Sequence, residues 1–216
     1  MTEIIISGLE WRLQKQLEGA ELAFVQGRYE QAIMAAGAVL AEQPACLPVR
    51  VFLRSAQVKH AAKAPHIFIR LKNIFLLQWV RRQLRHHPER AVAVADRVLQ
   101  TEINQPAALS LLGRAATALG WSATAIFAYE CARVDRPDEA ELALAYGHAL
   151  LVGRRAAEAL HVAEAVLQTQ PLQLAALHLR QQAALAVTLA TGKWEAPGSY
   201  REKLRDQAPE SPPTLR

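Results

Sequence analysis

Apolar residues recur along most of this chain at steps of three and four, and that pattern itself recurs at a longer interval. Leu109, Leu112, Ala116 and Leu119 share one helical face, and Ala125, Ile126, Tyr129 and Ala132 share another. Ala91, Ala125 and Ala159 are evenly spaced, 34 apart, and so are Gly113 and Gly147, and Pro137 and Pro171. Val92, Ile126 and Leu160 keep the same interval and change only in apolar type. A fixed period of this length with small residues at set points predicts stacked helix pairs. No stretch alternates β-branched with polar residues over a strand's length, so the chain is expected to be all-α.

The small residues have a physical reading. Gly113 and Ala125 are expected where paired helices come closest, because a larger group would push the axes beyond the usual ~8–10 Å. Gly120 suits a helix end that needs a left-handed residue, and Gly153 is expected to close its helix one residue early. Pro137 and Pro171 stop one pair and open the next. A further unit runs from Trp11 to Pro44, with Ala20 at the small position, then Gly27-Arg28-Tyr29, Ala32-Ile33 and Val39-Leu40. The run Leu109-x2-Leu112-Gly113, Gly120-Trp121, Ala125-Ile126, Tyr129, Ala132, Pro137 resembles the tetratricopeptide repeat, and so does Gly-x-Tyr-x-x-Ala-Ile at 27–33. The resemblance covers roughly 11–44 and 73–189. It implies a right-handed superhelical stack of antiparallel helix pairs, a tetratricopeptide-like α-solenoid.

Between those stretches the register breaks, since Ala32 and Ala91 are 59 apart. Pro48 to Ala61 reads as a first-type helix whose partner is replaced by Lys63-Ala64-Pro65. A long apolar segment, His66 to His87, follows, with Phe68, Phe75 and Trp79 at core-like spacing. A helix apolar over so much of its circumference is expected to be covered on more than one side. Burial within the molecule is the favoured reading, and self-association through 66–87 is the other. After Pro171 a helix with Leu174, Leu177, Leu185 and Leu189 is expected to act as the terminal cap. The domain reading is an N-terminal segment 1–10, a repeat domain 11–190 with an irregular basic and apolar insertion at 45–87, and a tail 191–216. The tail is expected to be partly disordered, with a short helix around Tyr200–Asp206 and Trp194 and Tyr200 pinning its start.

Apolar residues make up 51% and charged residues 21%, enough material for a continuous core. The opening Met1–Ile6 has neither a basic leader nor a long apolar run, and no apolar run is long enough to cross a bilayer, so a cytoplasmic protein is expected. Cys46 and Cys131 show no metal spacing and are expected to be reduced, buried thiols.

Charge changes the picture in one place. Between Gln43 and Pro88 stand nine cations (Arg50, Arg54, Lys59, Lys63, Arg70, Lys72, Arg81, Arg82, Arg85) and no Asp or Glu, in a chain of net charge +5. A one-signed block suits an acidic partner, a membrane surface or a phosphate backbone, or only a solvated face. Arg70, Lys72, Arg81, Arg82 and Arg85 form the expected basic patch. Nucleic acid would call for exposed aromatic rings beside the charge, which the core-like spacing of the rings argues against.

Catalytic signatures are missing from the sequence: no phosphate loop, no nucleophile elbow, no paired metal ligands among the seven histidines. The expectation is therefore a non-enzymatic adaptor without cofactor or metal. The resemblance implies that the first helix of each pair lines a concave groove, which maps here to Asn73, Leu76, Val80 and Gln83, then Ser110, Arg114 and Thr117, then Glu141, Leu144 and His148, and His178. Such a groove would hold a peptide or helix of another protein. The alternative is recruitment to an anionic surface through 43–88.

Overall fold

The computed structural model describes residues 3–60 and 67–191, with side chains of the second segment from 72 to 190. Ten α-helices follow one another among the described residues: α1 Trp11–Val25, α2 Tyr29–Glu42, α3 Leu47–His60, α4 Ile67–Gln83, α5 Pro88–Thr101, α6 Pro106–Ala118, α7 Ser122–Val134, α8 Ala140–Val152, α9 Ala156–Thr169 and α10 Leu174–Thr191. Sequential helices pack against each other from α1 to α3 and from α4 to α10. The first helices of successive pairs also touch, α4 with α6, α6 with α8 and α8 with α10. The fold is all-α, a solenoid-like stack of helix pairs. The residues expected at 63–65 and 192–216, including Trp194 and the 200–206 helix, lie outside the described residues.

Two kinds of turn recur in the stack. Between the helices of a pair, one N–H reaches back five residues: Arg28 to Ala23 O at 2.8 Å, Trp121 to Ala116 O at 2.8 Å and Arg155 to Leu150 O at 2.9 Å. This closure needs a left-handed residue, and Gly27 (φ 74°) and Gly120 (φ 77°) supply it. In the third turn that residue is Arg154, at φ 61° and one repeat after Gly120, not the Gly153 expected from sequence. Gly153 serves another need, since a Cβ there would lie 2.9 Å from Ile126 Cδ1. The second kind of turn leads from one pair to the next. The N–H groups of Gln43, Glu102 and Gln170 bond to Val39, Val98 and Val166, four residues back.

Small residues sit where the periodicity puts them. Ala91, Ala125 and Ala159 are wholly buried. A Cβ on Gly113 would come within 2.7 Å of the Tyr129 ring, and one on Gly147 within 2.5 Å of Leu179 Cδ2. The two glycines are thus filled from different places. Tyr129 occupies the space in α6–α7, where the next first helix carries Ala145; one repeat further on, Ala163 is small and Leu179 is large. Volume is exchanged between neighbours while the total is kept.

Helix α4 departs from this scheme. Twelve residues before Ala125 and Ala159 stand Gly113 and Gly147, but twelve before Ala91 stands Trp79. An indole cannot occupy a helix–helix contact made for glycine, so Leu77, Val80 and Leu84 face the core and Trp79 faces out, 58% exposed. Phe75 is 75% exposed. The expected burial of both rings is therefore corrected; Phe68 lies outside the described side chains.

Among the described residues, helix α3 joins α5 and its following turn through long polar side chains. Arg50, nearly buried, donates to both Asp96 carboxylate oxygens (2.7 and 3.3 Å) and to Pro44 O at 3.0 Å. Arg54 donates to Ile103 O and Asn104 Oδ1, and Gln57 to Leu99 O. The apolar core is split accordingly, with Leu13, Leu17, Val39, Val49 and Leu53 clustered apart from the larger core, which runs from α4 to α10 and takes in Ala45 of the α2–α3 turn. Residue Ile4 packs on both. Glu3 reaches α7, where its carboxylate accepts the N–H groups of Ala123 (3.2 Å) and Thr124 (2.6 Å). No side chain of α7's own N-terminus caps it, so this distant carboxylate does.

At the far end, α10 packs through Ala176, Leu179 and Ala183, all wholly buried. Leu174, Leu185 and Leu189 are 73%, 61% and 52% exposed, and the polar His178, Gln181 and Gln182 lie between them on the outer side of this last described helix.

Candidate functional site

The first helices α4, α6 and α8 enclose a groove of about 410 Å³. Its floor is apolar, from Leu77, Leu111, Leu142 and the Tyr129 ring; its walls carry Gln78, Arg81, Ser110, Arg114, Arg136 and Glu141. Each helix contributes a stripe at steps of three and four, such as Ala107, Ser110, Leu111 and Arg114 on α6. Ala145 belongs to the groove wall. At the equivalent place one repeat later stands the larger Leu179, which meets the Gly147 position and fills that space.

Of the residues expected to line a groove, the structure brings Ser110, Arg114 and Glu141 together. Asn73 is buried and donates to Glu102 Oε1 at 2.8 Å, holding the C-terminal end of α5. Val80 and Leu144 are buried in the core. Leu76 and Gln83 are half-buried beside α4's core face, outside the groove. Thr117 donates to Gly113 O within its own helix. His148 and His178 are exposed but lie beyond the groove, on the stretch that Leu179 fills. Among the lining residues not expected in the groove are Gln78 and Arg81, the latter expected in the basic patch, with Arg136 and Tyr129. The signal for the first two was present: Trp79 at a glycine position means that the repeat spacing cannot be carried onto α4. For Tyr129, the signal was the exchange of large and small residues with Ala163.

Electrostatically the groove is mixed. Arg136 pairs with Glu139 at 3.1 Å across one turn. Arg81 and Arg114 form no ion pair among the described residues. Burial pushes the Tyr129 hydroxyl up to about 12, with the Arg114 guanidinium and the Thr117 hydroxyl pulling the other way. Tyr129 is thus a neutral hydrogen-bonding floor at physiological pH. A second depression, about 820 Å³, is formed by α8, α9 and the end of α7. It is the larger, and its polar lining is only partly paired: the buried Arg133 Nε has no hydrogen-bond partner among the described residues. The Tyr146 hydroxyl donates to Glu130 at 3.0 Å, the Arg133 guanidinium lies 4.9 Å from the Tyr146 ring centre, and Arg155 pairs with Glu158 at 2.6 Å. It holds none of the expected residues.

The nine-cation block does not form one surface. Arg50 and Arg54 are spent on internal contacts, Lys63 and Arg70 lie outside the described side chains, and Arg81 belongs to the groove. Lys59 is exposed on α3, and Lys72, Arg82 and Arg85 are exposed on and just beyond α4. Cys46 is buried and Cys131 half-buried, both free thiols; burial raises the Cys131 thiol above its ordinary value, against the pull of Arg54. Among the described residues no three His, Cys, Asp or Glu side chains gather as a metal site, and no helix is long and apolar enough to cross a membrane. Comparison with protein-family models, with curated proteins and with solved structures gave no match.

Proposed function

We propose that this chain is a non-catalytic adaptor of the tetratricopeptide type, which holds a short segment of another protein in the groove of α4, α6 and α8. The observation that carries the reading is the groove's make-up. An apolar floor under Arg81 and Arg114, with Glu141 opposite, suits a peptide or helix with an apolar anchor and at least one acidic side chain. Its position on successive first helices puts three separate elements around one ligand, as rigid stacked repeats do.

The test uses the volume exchange within the fold. Ala145→Leu puts into the groove the side chain that already stands at the equivalent position as Leu179. A partner captured from the source cell and then produced pure should lose binding to Ala145→Leu and to Arg114→Ala, while His148→Ala and His178→Ala bind as the wild type does. Undiminished binding by Ala145→Leu would defeat the proposal.

A further inference from the structure

Helix α4 brings aromatic and cationic side chains to the surface together, and we propose that this outer face docks on an anionic lipid bilayer. This is independent of the groove: Lys72, Arg82, Arg85, Phe75 and Trp79 are not among the residues that line it.

Three observations carry the inference. First, the face is fixed. Leu77, Val80 and Leu84 anchor α4 in the core and Asn73 ties it to Glu102, so the helix cannot roll to hide its rings without breaking those contacts. Phe75 and Trp79, one turn apart, stay exposed on a helix whose opposite side is well packed. Contiguous apolar exposure of this kind marks a contact surface. Second, the charge is of one sign. From 44 to 87 there is no Asp or Glu, and among the described residues Lys72 precedes the apolar patch while Arg82 and Arg85 follow it. Lys72 and Arg82 are about 15 Å apart along the axis, at ~1.5 Å per residue. A helix lying in the membrane plane would sink Phe75 and Trp79 to the acyl boundary and hold Lys72 and Arg82, on the same face, at the headgroup phosphates. Third, the rival occupants fit less well. Twofold pairing with a second copy would set Lys72, Arg82 and Arg85 against themselves. Single-stranded nucleic acid would use the two rings for stacking but is held in a cationic groove that tracks its backbone, which the outer face of a single helix does not form.

The experiment is flotation of the full chain with vesicles of phosphatidylcholine, with and without phosphatidylserine. Binding should require phosphatidylserine and weaken as salt is raised. Each cation near such a surface is worth about fivefold in partitioning, so Lys72→Gln/Arg82→Gln/Arg85→Gln should bind about a hundredfold more weakly. Phe75→Ser/Trp79→Ser should lose at least tenfold, with an unchanged circular dichroism spectrum and melting temperature because both rings face water. Arg114→Ala, a groove variant, should float like the wild type. Absence of binding to phosphatidylserine vesicles would overturn the proposal, as would binding that both α4 variants retain. Retention of a single-stranded oligonucleotide without vesicle binding would overturn it in favour of nucleic acid.

Discussion

The α6–α9 stack and the α3–α5 junction are built from the same helical pattern but are held together differently. In that stack, with α10 closing it, a glycine leaves room that a ring or an isobutyl group fills, and the contacts around it are apolar. At the junction, Arg50, Arg54 and Gln57 span from α3 to α5 and its following turn, and α4 carries Trp79 where its counterparts carry glycine. The difference teaches that in such a stack close approach is a privilege of small residues. Where one is missing, the gap is bridged by long polar side chains, and the displaced aromatic is left facing water.

Substitutions can break this comparison, and the largest effect is expected at the junction. Arg50→Ala would leave Asp96 poorly solvated and without its cation, costing about 3–5 kcal/mol in urea unfolding. Arg50→Met with Asp96→Leu should recover most of that, because the pair itself contributes less than the penalty of splitting it. In the glycine region, Gly113→Val drives a branched side chain into the Tyr129 ring and should cost about 3 kcal/mol by the same measurement.

Tyr129 gives a pH signature to the same contact. Its folded value near 12 lies above the ordinary 10, so the folded state keeps its proton where the unfolded state loses it. Stability should be full below pH 10 and fall between pH 10 and 12, by roughly 2 kcal/mol, and Tyr129→Phe should flatten that fall. Arg154→Gly should raise stability by about 1 kcal/mol, read as a higher melting temperature, since the left-handed turn then matches those at Gly27 and Gly120. The smallest effect belongs to Trp79→Ala, expected within about 0.5 kcal/mol because the indole faces water. A large loss there would show that the ring packs, and the contrast between the two regions would collapse.

Much of the fold was legible because small residues leave a periodic trace. Ala91, Ala125 and Ala159 mark the second helices, and the break between Ala32 and Ala91 marks the irregular stretch of α3 and α4. The groove was legible on α6, where the pattern is undisturbed, and so Ser110 and Arg114 were found. On α4 it was not, because hydrophobicity alone does not say which side of an apolar helix is covered. Phe75 and Trp79 look like core residues until the glycine position is seen to be occupied. Leu144 fell into the core for a related reason: its neighbours α9 and α10 cover it, whereas its counterpart Ser110 faces the groove. The polar bridges of Arg50 and Arg54 were read as surface charge, since sequence does not reveal the Asp96 and Ile103 groups that meet them.

The carboxylate of Glu3 on the N–H groups of Ala123 and Thr124 ties together two distant points of the chain. During synthesis Glu3 leaves the ribosome long before its seat exists, and must wait for seven helices to be made before it can dock. A bulky tag fused just ahead of it would therefore disturb the start of α7, far along the chain, and not merely the segment to which it was attached. Tags for the experiments above belong at the other end of the chain.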